Sequence, residues 1–267
     1  RTSLLSRLIK VKDIVRIIEA HSPLSGLIAE KIQVKEKNQL IGFDGFWSSS
    51  LADSLIRGKP DNQSVDLSTR ISALNEILDI TSKTIIFDGD NGGRIEHLPL
   101  TINSMERQGV SAIVIEDKIG LKKNSLFKNQ KDTKQDSIKN FCKKIKVAIN
   151  ARKSEDFLIA ARIESLILNK GVKDALKRAK AYSRSGADAI LIHSKQKNPN
   201  EIFKFSKEFK KSEYAKPLIA VPSSYSKTYE KDLIKHGFKI VIYANHLLRA
   251  SYLSMNNILK SILKNKR

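Results

Sequence analysis

A single cysteine, Cys142, stands in a chain of 267 residues. One thiol cannot close an internal disulfide, so a disulfide-stapled scaffold is excluded and a reducing cytoplasm is the expected compartment. Long apolar runs are missing as well; nothing approaches the roughly 18 residues that a membrane-crossing helix needs. The opening Arg1-Thr2-Ser3-Leu4-Leu5-Ser6-Arg7 is too short and too polar for a secretory leader. No initiator methionine precedes it, which leaves room for a chain trimmed or excised from something longer. No glycine-rich fingerprint of the dinucleotide or P-loop kind follows the first apolar run, which weakens a Rossmann reading. Acidic residues are scarce beside basic ones, 28 against 49, for a net charge of +21.

That charge raises one reading outside enzymology, a non-catalytic basic nucleic-acid-binding protein. The placing of the lysines argues against it. They are spread through helical stretches such as Lys139–Lys146, and no RNA- or DNA-binding motif accompanies them. What remains of the charge is a general attraction for anionic substrates.

What is present is ample material for one core, with 40% hydrophobic residues. Short apolar runs recur, each followed by a helical pattern. They predict strands at Val15–Ala20, Phe43–Ser48, Thr84–Asp88, Ala112–Glu116, Phe157–Ile163, Ala189–His193, Leu218–Val221 and Lys239–Tyr243. Their continuous apolar character suits strands buried on both faces of a parallel sheet. Helical spacing between them is seen at Ala175, Leu176, Ala179 and Tyr182. Eight alternating units predict an α/β fold of the (β/α)8 TIM-barrel type, a single domain over residues 1–267. The segment Gln33–Gln39 is read as a charged loop insertion, and Asn245 onward as a C-terminal helical pair. Cys142 falls inside a predicted helix among lysines and receives no catalytic role.

In such a barrel the chemistry gathers at the C-terminal ends of the strands. Strand two ends in Trp47-Ser48-Ser49-Ser50, strand three in Asp88-Gly89-Asp90-Asn91-Gly92-Gly93 and strand four in Glu116-Asp117-Lys118. Strand five ends in Arg162-Ile163-Glu164, strand six in His193-Ser194-Lys195, strand seven in Pro222-Ser223-Ser224, and strand eight leads to Asn245-His246. Asp88, Asp90 and Glu116 are hard oxygen ligands without the Cys/His set that zinc prefers, which points to Mg²⁺. The glycines at 89, 92 and 93 imply a chain already turning, so that both aspartates approach one ion. An ordinary turn is the competing reading of Asp-Gly-Asp taken alone. Arg162 has the planar fork for a phosphate or carboxylate, or else pairs with Glu164 or Glu116. His193 beside it suits substrate contact, although a strand-end histidine can be purely structural. Ser49 and its neighbours offer hydroxyl and backbone N–H donors, or form a plain serine-rich turn. Glu116–Phe127, polar and lysine-rich, has the composition of a lid or of a solvated loop.

Taken in order, several of these segments resemble the phosphoenolpyruvate mutase family of the isocitrate lyase/phosphoenolpyruvate mutase superfamily. The carriers are Glu19-Ala20-His21-Ser22, Phe43 to Leu51, Asp88 to Gly93, and Glu116-Asp117-Lys118 with Lys122-Lys123-Asn124-Ser125. Ala161 to Ser165, Ala187 to Lys195 and Ala244-Asn245-His246 complete the set. The resemblance implies Mg²⁺ held, largely through water, by Asp88, Asp90 and Glu116. It implies phosphoenolpyruvate or phosphonopyruvate bound over Trp47, its carboxylate and enolate oxygen meeting Ser49, Ser50 and Leu51. Arg162 and His193 match the pair that holds the phosphoryl group, Lys122 and Asn124 match the lid residues over it, and Ser125, in the same Lys-Lys-Asn-Ser lid, is read as a substrate-binding residue. Asp61, in Arg57-Gly58-Lys59-Pro60-Asp61, matches a loop aspartate, read here as electrostatic and positioning in preference to a nucleophile. The family also implies a homotetramer with the C-terminal helix swapped between barrels, which Asn245–Lys264 could supply. Some members are fused to a nucleotidyltransferase.

Three activities compete within that resemblance. A phosphoenolpyruvate mutase shifts the phosphoryl group between enol oxygen and C3, forming the C–P bond of phosphonate biosynthesis. Phosphonopyruvate hydrolase shares the barrel but differs at the lid, where Asn124 in Lys-Lys-Asn-Ser favours the mutase. C–C lyases carry a lid cysteine in Lys-Lys-Cys-Gly-His, and no cysteine stands at the matching place here.

Overall fold

The structure, a computed structural model, describes residues 1–126 and 133–267. The eight expected strands form, each within two residues of its predicted bounds. They are β1 (Val15–Glu19), β2 (Gly45–Ser48), β3 (Thr84–Asp88) and β4 (Ala112–Glu116), followed by β5 (Leu158–Ile163), β6 (Ala189–Ile192), β7 (Leu218–Ala220) and β8 (Phe238–Tyr243). All neighbours pair in parallel, and β1 pairs with both β2 and β8, closing a barrel.

Alternation along the strands divides the apolar side chains into two layers. Val15, Ile17, Ile86, Val114, Leu191, Ile219 and Ile242 fill the barrel. Ile18, Phe46, Phe87, Ile115, Ile163 and Ile192 turn outward to the helices. Because both faces are dry, the strands read as unbroken apolar runs.

Helices α1 (Leu4–Val11), α2 (Pro23–Lys31), α3 (Ser50–Leu55), α4 (Leu67–Leu78) and α5 (Leu98–Arg107) occupy the first half of the chain. They are followed by α6 (Ile138–Ala151), α7 (Gly171–Arg184), α8 (Asn200–Phe209), α9 (Glu230–Lys235) and α10 (His246–Asn265). Several starts are set by local chemistry. The side chains of Asp66 and Ser137 accept from the N–H groups of Thr69 and Asn140, and Ser22 with Ser25 forms a capping box.

Helix α1 seals the barrel floor. Leu5 is fully buried among the inward residues, with Leu8 and Ile9 packed beside it. Arg1 donates to the Thr81 carbonyl at 2.6 Å and Ser6 to Asp156 Oδ1 at 2.6 Å, while Ser111 donates to the Arg1 carbonyl at 3.0 Å. Those partners precede β3, β5 and β4, so the helix lies across the N-terminal strand ends. The floor is tight: a Cβ on Gly45 would come within 2.3 Å of Thr84 Cγ2.

Two expectations need correction. Gln33–Gln39 is not a loop; Gln33–Glu36 and Gln39–Gly42 pair as an antiparallel ribbon that turns through Lys37, whose φ is 56°. Gln33–Glu36 is exposed along its whole length and lacks the apolar alternation that would mark it as a strand. The C-terminal pair is one continuous helix, α10, with none of its residues buried. A shorter ribbon, Lys118–Ile119 with Lys134–Gln135, brackets the segment expected to be a lid. Phe127, the last residue of that segment, lies outside the described residues. Among the described residues no helix is long and apolar enough to cross a membrane.

Candidate active site

At the other end of the barrel the inward positions stop being apolar. The face that carries Ile17, Ile86, Val114, Ala160 and Leu191 continues, two residues on, into Glu19, Asp88, Glu116, Arg162 and His193. Trp47 occupies the same level on β2, opposite Glu19, and Glu116 stands beside Arg162. Charged groups are thus forced together where little water reaches, so each must find a partner or shift its proton affinity.

The first cluster forms around Asp88. Its Oδ2 accepts from Ser50 Oγ at 2.8 Å and from the Ser50 N–H at 3.4 Å. The chain then turns sharply: a Cβ on Gly89 would meet Ile113 at 2.8 Å, and Asp90 adopts a φ of 50°. Both features bring Asp90 back beside Asp88. Lys122 Nζ, arriving from the lid, contacts Asp90 and Ser50 and lies 3.3 Å from Asp61 Oδ1 and 3.5 Å from Asp88 Oδ2. Burial works against charge on Lys122, but Asp88, Asp90 and Asp61 outweigh it and hold the ammonium protonated. Burial likewise pushes the Asp88 carboxyl up, yet Lys122, Arg70 and Arg162 hold it below the usual carboxylate range.

The second cluster forms around Arg162. Its Nε donates to Glu164 Oε1 at 2.6 Å, its Nη2 donates to Ser125 Oγ at 2.8 Å, and Glu116 Oε2 lies 3.6 Å away. Both pairings weighed for Arg162 from the sequence are therefore present, and the guanidinium still lines the cavity. Burial raises Glu116 to about 7 against the pull of Arg162 and Lys118. Glu164 goes the other way: burial opposes, but Arg162 and Lys118 lower it to about 2. Burial and the neighbouring Arg162 push His193 down to about 3, so its imidazole is neutral. His193 Nδ1 and Glu116 Oε1 have no hydrogen-bond partner among the described residues.

Between the clusters lies a small cavity. Ten of the expected site residues line it: Trp47, Ser49, Leu51, Asp61, Asp88, Lys122, Asn124, Ser125, Arg162 and His193. Leu126, Leu191, Val221, Ser223, Ala244 and Asn245 complete its lining. Asn124 Nδ2 donates to Asp61 Oδ2 at 3.5 Å, joining the lid to the Asp61 loop. Ser50, Asp90 and Glu116 stand just behind the lining, bonded or paired to groups that form it.

Sequence reasoning missed the residues that hold these in place. Arg70, buried on α4, donates to Asp53 Oδ2 at 2.9 Å and to Asp90 Oδ2 and the Ser48 carbonyl at 3.4 Å, with its guanidinium 4.3 Å above the Phe87 ring. The available signal was an arginine sharing the apolar face of Leu74 and Ile77. Asp117, fully buried, accepts from Tyr182 at 2.7 Å, Gln135 at 2.9 Å, Arg178 at 3.2 Å and the Glu164 N–H at 3.0 Å. Glu19 accepts from the N–H groups of Leu247 and Leu248 at 3.1 and 3.2 Å, anchoring the start of α10. Nothing in local spacing announces pairings between such distant positions.

The donor set bears on a metal. Asp88 and Asp90 both face the point where Lys122 places its ammonium, and Glu116 keeps a buried oxygen without a hydrogen bond among the described residues. Among the described residues no three acidic, imidazole or thiol groups close tightly enough to cage an ion on their own. A pair of carboxylates facing one point suits Mg²⁺, which keeps several waters, better than an ion that demands a full protein cage.

A closed (β/α)8 barrel whose strand ends gather carboxylates, a buried arginine and a neutral histidine beside a lysine-rich loop has the architecture of the barrel enzymes, whose chemistry sits at this mouth. The family model described as phosphoenolpyruvate phosphomutase matches residues 5–263, and this chain belongs to that family. A phosphoenolpyruvate phosphomutase of Tetrahymena pyriformis is 35% identical over 269 residues, covering 100% of this chain and 85% of the relative. A phosphonopyruvate hydrolase of Variovorax sp. (strain Pal2) is 38% identical over 238 residues, covering 87% and 76%. The crystal structure of phosphoenolpyruvate phosphomutase from Streptomyces platensis subsp. rosaceus superposes with a TM-score of 0.91 at 32% identity, covering 100% of this chain and 88% of that one. A phosphonopyruvate hydrolase structure holding oxalate and Mg²⁺ gives 0.85 at 31%, covering 100% and 88%.

Proposed function

We propose that this enzyme is a Mg²⁺-dependent phosphoenolpyruvate mutase, interconverting phosphoenolpyruvate and 3-phosphonopyruvate as the C–P bond-forming step of phosphonate biosynthesis. The carrying observation is the lid: Asn124, bonded to Asp61, stands over a cavity walled by Arg162 and His193. The migrating phosphoryl group passes through a loose, metaphosphate-like state, so positioning and charge stabilisation matter more than covalent help. Arg162 supplies a fixed cation and His193 a neutral ring edge, and both can hold phosphoryl oxygens while Asn124 covers them. Trp47 forms the floor under the three-carbon fragment, and Ser49, Ser50 and Leu51 orient its carboxylate. Asp61, tied to Asn124 and Lys122, positions the lid and shapes the local field. Asp88 and Asp90, with Glu116 behind them, would hold the ion. When bound, Mg²⁺ supplies charge neutralisation for the pyruvyl enolate. Closure excludes water, which would otherwise take the phosphoryl group.

A hydrolase is the second reading, supported by the 38% identity to the Variovorax enzyme. ³¹P NMR of the protein with Mg²⁺ and phosphonopyruvate separates the two. Formation of phosphoenolpyruvate is the expected result; inorganic phosphate alone would sink the mutase and select the hydrolase. A homotetramer with α10 exchanged between barrels belongs to the same reading, supported by the absence of buried residues on α10. So does a cytoplasmic setting, in keeping with one unpaired thiol, and a fused or partner nucleotidyltransferase.

A further inference from the structure

Ser125 has one hydroxyl proton and two lone pairs, and all three are engaged. It accepts from Lys118 Nζ at 2.8 Å and from Arg162 Nη2 at 2.8 Å, and it donates to Glu164 Oε2 at 2.6 Å. Lys118 Nζ donates also to the Lys123 carbonyl at 2.9 Å and faces Glu116 Oε1 and Glu164 Oε2, each at 3.4 Å. An ammonium has three protons. Two go to lid atoms and the third faces the carboxylates, so none is left for a substrate anion. Lys118 is itself buried, at the root of the ribbon Lys118–Ile119 with Lys134–Gln135. From that fixed place it grips the lid at 123 and 125, on either side of Asn124 and just beyond Lys122.

We propose that Lys118 is a positioning residue: through Ser125 it latches the lid, and the latch sets how much of the phosphoryl group reaches carbon and how much is lost to water, the product division resting on the mutase reading. In the leak, water adds to phosphorus and the C–P bond breaks with its electron pair on the pyruvyl fragment. That enolate takes up a proton, giving pyruvate and phosphate. A loosened latch admits this water without removing any group that touches the substrate's phosphorus.

The test compares the Lys118→Met, Lys118→Arg and Ser125→Ala variants of the full chain with the parent. One readout is the ratio of inorganic phosphate to phosphoenolpyruvate formed from phosphonopyruvate and Mg²⁺, followed by ³¹P NMR. The other is the rate of tryptic cleavage after Lys122 and Lys123, followed by mass spectrometry with Mg²⁺ and oxalate present, oxalate standing in for the enolate. Losing the charge-assisted bonds of the latch, two in Lys118→Met and three in Ser125→Ala, should raise both by about tenfold or more. Lys118→Arg should recover part of each. Should Lys118→Met fail to fold, Ser125→Ala, which leaves every buried charge in place, still decides. Unchanged ratio and unchanged cleavage in folded Ser125→Ala would overturn the latch. If the parent itself yields only phosphate, the mutase reading fails, and the cleavage rates still judge the latch on their own.

Discussion

The two ends of this barrel are built from the same eight strands and are finished in opposite ways. At the floor, α1 drives Leu5 into the barrel and its flanks are tied by hydrogen bonds to the segments before β3, β4 and β5. At the mouth, two more residues of strand convert the inward face from apolar side chains to carboxylates, an arginine and a histidine. There Glu116 Oε1 and His193 Nδ1 stay buried without hydrogen bonds among the described residues. The floor carries stability and the mouth spends it, as sites built for function commonly do.

The largest expected effect lies at the mouth. Asp88→Ala should lower Mg²⁺-dependent turnover by about a thousandfold or more, while the melting temperature stays near the parent's because Lys122 keeps Asp90 and Asp61 as partners. Steady-state rates with a thermal melt check both halves, and surviving turnover would remove Asp88 from the site. At the floor the signature should invert. Leu5→Ala should cost about 2–5 kcal/mol of stability, read by denaturant unfolding, with kcat of the folded enzyme unchanged. A marked fall in kcat would dissolve the division between the two ends.

The smallest effect concerns pH. His193 is held at about 3 instead of its ordinary 6.5, so between those values the unfolded chain binds a proton that the folded one refuses. The stabilisation this implies is complete above the ordinary value and is lost as pH falls toward 3. His193→Gln should therefore show a shallower drop in melting temperature between neutral pH and pH 4.5 than the parent, by roughly 5 °C. Equal slopes would mean that the imidazole is solvated.

Much of this was legible in the chain. Strands dry on both faces leave unbroken apolar runs, which is why β3 and β4 were bounded to the residue, and polar residues at strand ends could be read directly as a mouth. The exposed ribbon at Gln33–Glu36 escaped notice because it buries no face. Arg70 and Asp53 escaped for another reason, and Asp117 was seen only as part of a motif without its bracing role: their meaning lies in partners far along the chain, and pairing of that kind leaves no periodicity. Ser125 was legible as part of a lid; that its hydroxyl is wholly taken up by the barrel beneath was not.

Barrel closure also has a consequence for how the chain is made. Val15 pairs with Ile240, so the first strand of the barrel finds its second neighbour only when the barrel's last strand has been made. Until then β1 and the strands that join it present an open edge, and contacts this remote make for slow folding with an exposure to wrong pairing. The seam between β1 and β8 is accordingly the last part of the wall to close, and a nascent chain stalled before Phe238 would carry most of a barrel with no way to shut it.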